Sequence, residues 1–319
     1  FERACRWFSG FGGAALSSSA LPVAALAGWL ALMLGIWVAW VTPTPSRARR
    51  LAAAGLAVIV LVSAVPLARP GSGTLQRGVV ILDVGQGDAL LVCDGGHAGL
   101  IDTGPSPTAL KEQLRAQKVT RLDFVLFTHG HSDHVGGAPA LDRSLHITHL
   151  YVAEGAQRSK QLAAVSTRLD VPLTGMHGGQ SFMLGHIRIT AIWPRSRISD
   201  PDANESCLTT LLTDELPDAR DKVATDTLLT SGDAEAPTVS AAITAAHITQ
   251  VDVLKAPHHG SAISLSDALL DRLRPALVVI SCGLKNPYGH PKPATLDFLQ
   301  KHGIPFKRTD HDGPVLVPF

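Results

Sequence analysis

The sequence predicts an α/β domain in which two β-sheets pack face to face with helices outside, preceded by a transmembrane helical hairpin. Three observations support this prediction. Two uncharged apolar segments lie near the start of the chain, short apolar runs alternate with helical patterns from residue 78 onward, and metal-binding side chains follow several predicted strands. We therefore divide the chain into a membrane region at 1–70, a linker at 71–77 and a folded domain at 78–319.

The two apolar segments predict transmembrane helices at about residues 21–41 and 51–68. The first segment is uncharged and long enough to cross a bilayer, whereas the second is shorter and contains Pro66. Neither segment has a polar face, which argues against two helices buried in a protein core. Arginines at positions 47, 49 and 50 lie between the segments and favour a cytoplasmic connection. We therefore expect a multi-pass protein of the cell membrane whose folded domain is extracellular or periplasmic.

Short apolar runs define the first half of the folded domain. Strands are predicted at residues 79–84, 89–92, 99–101, 122–127 and 147–152, and helices at 107–117, 133–141 and 159–169. The second half of the domain is also predicted to contain both strands and helices. It is predicted to contain a hairpin at 181–193, strands at 207–212, 223–229, 251–255, 276–281 and 315–317, and helices at 235–246, 265–274 and 294–302. The polar residues 213–222 predict an exposed loop.

Overall composition argues against a global basic field and against a disulfide framework. The formal net charge is +1 over 319 residues, so no global basic field favours nucleic acid. The four cysteines are far apart and form no CxxC pair, which argues against a disulfide framework. We interpret them as small apolar residues of the core, with a Cys93–Cys207 or Cys207–Cys282 disulfide as the alternative.

The most informative segment is His-Gly-His-Ser-Asp-His at residues 129–134, directly after a predicted buried strand. His129 and His131 are two positions apart, so both rings lie on one side of an extended chain and can bind one ion. Asp133 and His134 lie where a helix begins and can face a second ion. Two adjacent divalent ions can activate water and bind both oxygens of a phosphodiester displacement. The alternative is a histidine-rich surface loop.

Two later strands also end in potential ligands. Asp233 follows an apolar strand and a glycine, so it can bridge two cations, although it could instead cap the next helix. Glu235 could orient a ligand or contact substrate. His258 and His259 follow the strand at 251–255, and one of them should complete the second metal site. Adjacent residues of an extended chain point in opposite directions, so the other histidine could act as a general acid.

Further site residues are predicted from their loops. Asp88 ends the turn formed by Gly85, Gln86 and Gly87, where the backbone can approach a ligand closely. Asp102 could hold a ligand histidine through its second ring nitrogen. Tyr288 and His290 lie in a loop rich in Pro and Gly that could contact phosphate. Lys255 or His290 could stabilise charge on phosphoryl oxygens, and Ser261 belongs to the predicted substrate-binding set.

The histidine motif, with Gly136 and Gly137 after it, resembles the signature of the metallo-β-lactamase superfamily. Companion motifs resemble the ComEC family of competence DNA-uptake channels, in the order found there. They lie at residues 82–88, 101–104, 231–233, 255–261, 288–291, 308–310 and 312–313. The resemblance covers roughly residues 78–319, and the apolar segments before it resemble the last membrane segments of that family.

The resemblance implies a four-layer αββα sandwich and a nuclease acting on incoming DNA. It implies two divalent ions, Zn or Mn, and as partners DNA, the lipid bilayer, the remaining membrane channel segments and the uptake machinery. The implied ligands are His129, His131, Asp133, His134, Asp233 and one of His258 and His259. The wider superfamily has a further histidine where this chain has Asn204, which implies a weaker or hydrated first metal.

We therefore predict a metal-dependent phosphodiesterase, with Asp133, His258, His259 and His290 as catalytic residues. The predicted substrate-binding residues are Asp88, Asn204, Glu235, Lys255, Ser261, Tyr288 and His290. One alternative is an envelope phosphodiesterase that cleaves teichoic-acid or phosphocholine esters. Another is a non-catalytic DNA-docking or gating module, which would use basic residues in the last fifth of the chain.

Overall fold

The computed structural model describes residues 77–216 and 226–319 of the chain. The predicted transmembrane hairpin, the linker up to residue 76 and the start of the strand predicted at 223–229 lie outside the described residues. In the part of the chain that is described, no helix combines the length and the apolar character that crossing a bilayer requires.

The first sheet contains seven strands. They are β1 (Gly78–Ile81), β2 (Leu90–Asp94), β3 (His97–Ile101), β4 (Phe124–Leu126), β5 (His149–Ala153), β6 (Leu173–Met176) and β14 (Val315–Pro318), in the spatial order β14-β1-β2-β3-β4-β5-β6. The pairs β14–β1, β1–β2 and β2–β3 are antiparallel. The pairs β3–β4, β4–β5 and β5–β6 are parallel. The carboxyl ends of β3 and β4 therefore lie at the same edge of the sheet.

The second sheet has the same number of strands. They are β7 (Ser181–Leu184), β8 (Ile187–Trp193), β9 (Thr209–Asp214), β10 (Thr227–Thr230), β11 (Val253–Lys255), β12 (Leu277–Ile280) and β13 (Phe306–Arg308), in the order β13-β12-β11-β10-β9-β8-β7. β10, β11, β12 and β13 are parallel. Their carboxyl ends therefore also share one edge, which is where ligands bind in parallel sheets.

Successive residues of the second sheet contribute to different cores, because adjacent side chains of a strand point to opposite faces. In β10, Leu228 belongs to the core shared with the first sheet, and Leu229 packs with the outer helices. In β11, Val253 and Leu254 divide in the same way. The adjacent apolar residues of these strands are therefore buried on both faces of the sheet.

Helices cover the outer faces of both sheets. The longer ones are α1 (Pro107–Ala116), α3 (Lys160–Leu169), α4 (Ala236–Ala245), α5 (Asp267–Leu273) and α6 (Pro293–Lys301), and the four-residue helices are α2 (Ser132–Val135) and α7 (Thr309–Asp312). Leu110 and Leu162 join the core of the first sheet, and Val239 and Leu269 join that of the second. The predicted α/β sandwich of two sheets is confirmed.

Several predicted elements differ in extent from the structure. The helix predicted at 133–141 ends at Val135, since Gly136 and Gly137 follow and a separate 3-10 turn begins at Ala138. The sequence prediction missed β6 and β13, which are short edge strands with exposed positions. Cys93, Cys207 and Cys282 are buried free thiols, so the alternative of a disulfide among them is wrong.

Gly137 allows the histidine segment to pack against the end of β3. A Cβ atom at this position would lie 2.0 Å from the Thr103 carbonyl oxygen, which is backbone and cannot rotate away. We expect Gly137→Ala to lower the free energy of unfolding by about 1–3 kcal/mol, the usual cost of overpacking. Thermal unfolding of the full chain in detergent would measure this change.

Gly303→Ala is the comparison in which an added Cβ meets no neighbouring atom and only the backbone conformation is strained. No atom lies within 4 Å of its added Cβ, and only the left-handed φ of 65° opposes the substitution. Such a conformation costs about 1–2 kcal/mol in a residue other than glycine. A Gly137→Ala variant as stable as the wild-type protein would show that the segment adjusts without strain.

Candidate metal centre

The potential ligands converge at the common edge of the two sheets. His129 and His134 follow β4, Asp233 follows β10 and His259 follows β11. Asp133, His134, Asp233 and His259 each provide a ligand atom within 4.8 Å of the others, and so do His129, His131 and Asp233. The six ligands named in the sequence analysis, with His259 as the member of the histidine pair, thus form two adjoining clusters.

The Asp233 carboxylate lies between the two clusters. Its Oδ1 atom lies 3.0 Å from His134 Nε2 and 3.3 Å from His259 Nε2. Its Oδ2 atom lies 3.8 Å from His129 Nε2 and 3.6 Å from His258 Nε2. One oxygen therefore faces each cluster, which is the arrangement that a bridging carboxylate needs. Asp233 does not cap α4, because Glu235 occupies the N-cap position.

Gly232 brings Asp233 close to the histidine segment. Its φ is +55°, and an added Cβ would lie 2.6 Å from Thr128 Oγ1. A residue with a side chain would therefore be strained and would collide with Thr128. The glycine of the 231–233 motif is thus explained by the close approach of the two sheets.

Asp102 contacts His134 through Nδ1, the ring nitrogen that faces away from Asp233. Its Oδ2 lies 2.8 Å from His134 Nδ1, while Thr128 donates from its backbone N–H to Oδ1 and from its hydroxyl to Oδ2. This directs His134 Nε2 towards Asp233. Burial opposes the charged imidazolium, but Asp233 and Asp102 outweigh it and raise the pKa of His134 well above its ordinary value. Asp102 thus contacts the second ring nitrogen of His134, which is the contact expected from the sequence.

His258 and His259 do not lie on an extended chain, which corrects the geometry assumed from the sequence. Both residues have left-handed backbone conformations, with φ of 46° and 53°. His259 is buried, and its Nδ1 lies 3.0 Å from the Ser281 carbonyl oxygen, which accepts its proton and leaves Nε2 as the ligand atom. His258 Nδ1 lies 2.9 Å from Glu235 Oε1, its Nε2 lies 3.6 Å from Asp233 Oδ2, and its partly exposed side chain lines the cavity described below. His259 is therefore the better-placed ligand.

The buried nitrogens fit bound cations. His129 Nε2 and His259 Nε2 are buried without a hydrogen-bond partner among the described residues. Buried polar atoms are usually paired, so these nitrogens indicate unused coordinating capacity. Burial lowers the pKa of His129 well below its ordinary value, which favours the neutral form that binds metal. The mixture of imidazole and carboxylate donors is typical of divalent transition-metal sites.

A cavity of about 320 Å³ opens beside the two clusters. It is lined by Gln86, His131, Ser132, Asp133, Asn204, Asp233, His258, His259, Tyr288 and His290. Of the predicted substrate-binding residues, Asn204, Tyr288 and His290 thus line this cavity. Burial, together with His259 and His258, lowers the pKa of His290 to about 4, so the ring is neutral near pH 7.

Four residues predicted to bind substrate are placed elsewhere. Lys255 and Asp88 are fully buried and form an ion pair with each other, because a lysine inside the sandwich requires a countercharge. Burial alone would raise the pKa of Asp88, but Lys255 and His259 hold it well below its ordinary value. Glu235 accepts hydrogen bonds from His258 and from the nearly buried Ser261. These four residues support the site from outside the cavity.

Three residues contribute to the site although no site role was predicted for them, namely Gln86, Thr128 and Ser281. Gln86 lines the cavity, Thr128 holds Asp102, and Ser281 accepts from His259. The sequence does contain an indication for Gln86, since it lies between Gly85 and Gly87 in a turn that was predicted to approach a ligand closely. The other two are neutral residues at strand ends, and only the folded chain shows what they contact.

Asp102→Asn should weaken metal binding about 10- to 100-fold, because the amide cannot support His134 as the carboxylate does. Competition with a chromophoric chelator would measure the affinity of the full chain for Zn²⁺ and Mn²⁺. Asp142→Asn is the matched control, since Asp142 is exposed and its carboxylate accepts hydrogen bonds only from Ser144 within the described part of the chain. Equal affinities in the two variants would contradict the support assigned to Asp102.

Comparisons with known proteins agree with this geometry. Residues 82–205 match the metallo-beta-lactamase superfamily. The metallo-beta-lactamase fold protein YhfI of Bacillus subtilis superposes with a TM-score of 0.50 at 12% identity, over 76% of this chain and 98% of that one. The fold and the ligand clusters define a metallo-β-lactamase-type domain with the features of a metal-dependent hydrolase.

Curated relatives specify the kind of protein more closely. ComE operon protein 3 of Bacillus subtilis is 26% identical over 260 residues, which cover 74% of this chain and 32% of that protein. Competence protein ComA of Neisseria gonorrhoeae is 26% identical over 75% of this chain and 32% of its own length. The chain is a homologue of the ComEC-family competence proteins and carries their metallo-β-lactamase domain. It spans about a third of the length of these relatives.

Proposed function

We propose that this chain carries the nuclease domain of a membrane DNA-uptake protein, acting on incoming DNA outside the cytoplasmic membrane during transformation. The observation that supports the activity most is the Asp233 carboxylate, which presents one oxygen to each of two ligand clusters. Zn or Mn ions bound there would supply activated water and positive charge for phosphoryl oxygens. The competence relatives support DNA as the substrate.

The residues of the chain hold the ions and handle the proton. One ion would be held by His129, His131 and Asp233. The other would be held by Asp133, His134, Asp233 and His259. His258 is fixed by Glu235 and presents Nε2 to the cavity, so it can protonate the leaving oxygen. Tyr288 and His290 also line the cavity, with the His290 ring centroid 5.6 Å from that of His258, and can donate hydrogen bonds to the substrate.

The membrane location is part of the same proposal. The apolar segments at 21–41 and 51–68 would anchor the domain in the bilayer, and further channel segments and uptake machinery would act with it. The arginines between the two segments favour an extracellular or periplasmic domain.

Neither alternative gains support from the site. Glu235, which could have bound a cationic phosphocholine head group, is occupied by His258 and Ser261. Two of the basic residues expected in a DNA-docking patch also have local partners. Arg272 donates to the Ile248 carbonyl oxygen, and Arg308 pairs with Asp310.

The full chain in detergent tests the proposal directly. We expect it to degrade end-labelled DNA when Mn²⁺ or Zn²⁺ is added, and Asp133→Ala to abolish the cleavage without unfolding the protein. Phosphocholine esters should be cleaved poorly in parallel assays. A folded sample that contains metal but leaves DNA intact would disprove the nuclease assignment, and preferred cleavage of phosphocholine esters would support the envelope alternative.

A further inference from the structure

Gln86 lies at the tip of the turn between β1 and β2 and lines the cavity beside Asp133, Asp233 and His259. We infer that Gln86 donates a hydrogen bond from Nε2 to a non-bridging oxygen of the bound phosphodiester. This inference rests on the proposed function and adds a substrate-positioning residue to it. It depends on how the turn is held, how the amide is oriented and which other groups line the cavity.

The turn is fixed to the metal centre on one side. A Cβ atom on Gly87 would lie 2.1 Å from the Asp133 carbonyl oxygen, so the two backbones are in direct contact. The Asp88 backbone N–H donates to the same oxygen at 3.2 Å. The position of Gln86 relative to the metal ligands is therefore set by backbone contacts.

The end of β12 fixes the other side of the turn. The Ser281 hydroxyl donates to the Gly87 carbonyl oxygen at 2.6 Å, and the carbonyl oxygen of Ser281 accepts from His259. A Cβ atom on Gly283 would lie 2.5 Å from the Gln86 backbone nitrogen. One short segment therefore positions both the His259 ligand and the turn that carries Gln86.

The side-chain amide has a defined orientation. The Gly283 backbone N–H donates to Gln86 Oε1 at 3.1 Å, which identifies the oxygen end of the amide. The other end, Nε2, is buried and has no hydrogen-bond partner among residues 77–216 and 226–319. Buried donors are seldom left unpaired, and an oxygen of a ligand in the cavity would satisfy this one.

The remaining cavity wall shows why such a donor is needed. Among the described residues that line the cavity there is no lysine or arginine. Lys255, the nearest buried cation of the centre, is paired with Asp88 and fully enclosed. Apart from the histidines, hydrogen bonds to phosphoryl oxygens from this wall would therefore come from neutral side chains such as Gln86. A fixed amide is suited to this role, because it does not reorganise as charge develops.

Gln86→Met removes the donor while keeping the length of the side chain. We expect kcat/KM for thymidine 5′-(p-nitrophenyl phosphate) to fall about 10- to 100-fold, the usual effect of losing a hydrogen bond to a charged group. Metal content should not change. Gln113→Met is the matched control, since Gln113 Nε2 donates to the Asp83 carbonyl oxygen of the same connection and does not line the cavity. It should stay within about twofold of wild type.

Phosphorothioate substrates separate contact with substrate from a structural effect. Sulfur accepts hydrogen bonds poorly, so one of the two diastereomers should be cleaved more slowly by the wild-type chain. Gln86→Met should reduce that difference, and Gln113→Met should retain it. Should Gln86→Met fold poorly, Gln86→Glu keeps the acceptor for Gly283 and replaces the donor by a negative charge, and it should lose even more activity.

Two results would overturn the inference. One is an equal loss in Gln86→Met and Gln113→Met, and the other is an unchanged preference between the diastereomers in Gln86→Met. Either result with an active wild-type chain refutes the role of Gln86 alone. A folded, metal-loaded wild-type chain that hydrolyses no phosphodiester would instead refute the proposed function.

Discussion

Asp233→Asn should remove both metal ions from the folded chain and abolish phosphodiester hydrolysis. The amide keeps the size of the side chain but loses the charge and one of the two ligand oxygens. Because each carboxylate oxygen faces a different cluster, one cluster loses its Asp233 oxygen and the other keeps only a neutral amide oxygen, which binds a divalent cation more weakly than a carboxylate. The loss of activity should exceed the roughly 100-fold effect that removal of a supporting hydrogen bond causes.

Metal analysis by mass spectrometry, paired with a DNA digestion time course, would test this expectation. His131→Asn is the comparison, because His131 belongs to one cluster only. That variant should lose about one ion per chain and keep the other, as a terminal ligand would. If Asp233→Asn retained two ions per chain, the bridging position assigned to this carboxylate would be wrong.

The adjacent histidines should respond differently to the same substitution. Asn tolerates the left-handed conformation found at both positions, so His258→Asn and His259→Asn should each fold. His259→Asn should lose the ion of the Asp133 cluster, since His259 Nε2 lies 3.4 Å from Asp133 Oδ2. His258→Asn should keep its metal and lose about 10²- to 10⁴-fold in kcat, the usual contribution of a general acid.

Zinc content and kcat measured on both variants would decide between the two roles. A leaving group of low pKa requires no proton, so p-nitrophenolate esters should restore most of the activity of His258→Asn and none of that of His259→Asn. The reverse pattern, with metal loss in His258→Asn, would exchange the roles of the two residues.

The sequence predicted the fold well where local patterns determine it. The strand before His129 is a continuous apolar run, and the structure buries it on both faces. The edge strands β6 and β13 were missed because exposed positions interrupt their apolar pattern. The helix after Asp133 was predicted too long, since the sequence pattern gave no measure of how closely Gly137 approaches Thr103.

The metal centre was predictable as a set of residues but not as an arrangement. His and Asp at strand ends indicated the ligands, whereas the left-handed turn that separates His258 from His259 depends on tertiary contacts. Lys255 was interpreted as a phosphate-binding residue, although a lysine within an apolar strand requires a buried acid. Asp88 is that acid, 167 positions away, and no local pattern connects them.

The long sequence separation within the metal centre has a consequence for biosynthesis. His134 and Asp233 are 99 positions apart, and the first follows β4 of the first sheet whereas the second follows β10 of the second. A nascent polypeptide that has emerged only through β9 carries four of the six ligands but lacks Asp233, the residue common to both clusters, and His259. Completing both ligand clusters therefore requires β10, β11 and the turn after β11, and a ribosome stalled before β11 would display a chain without the His259 ligand.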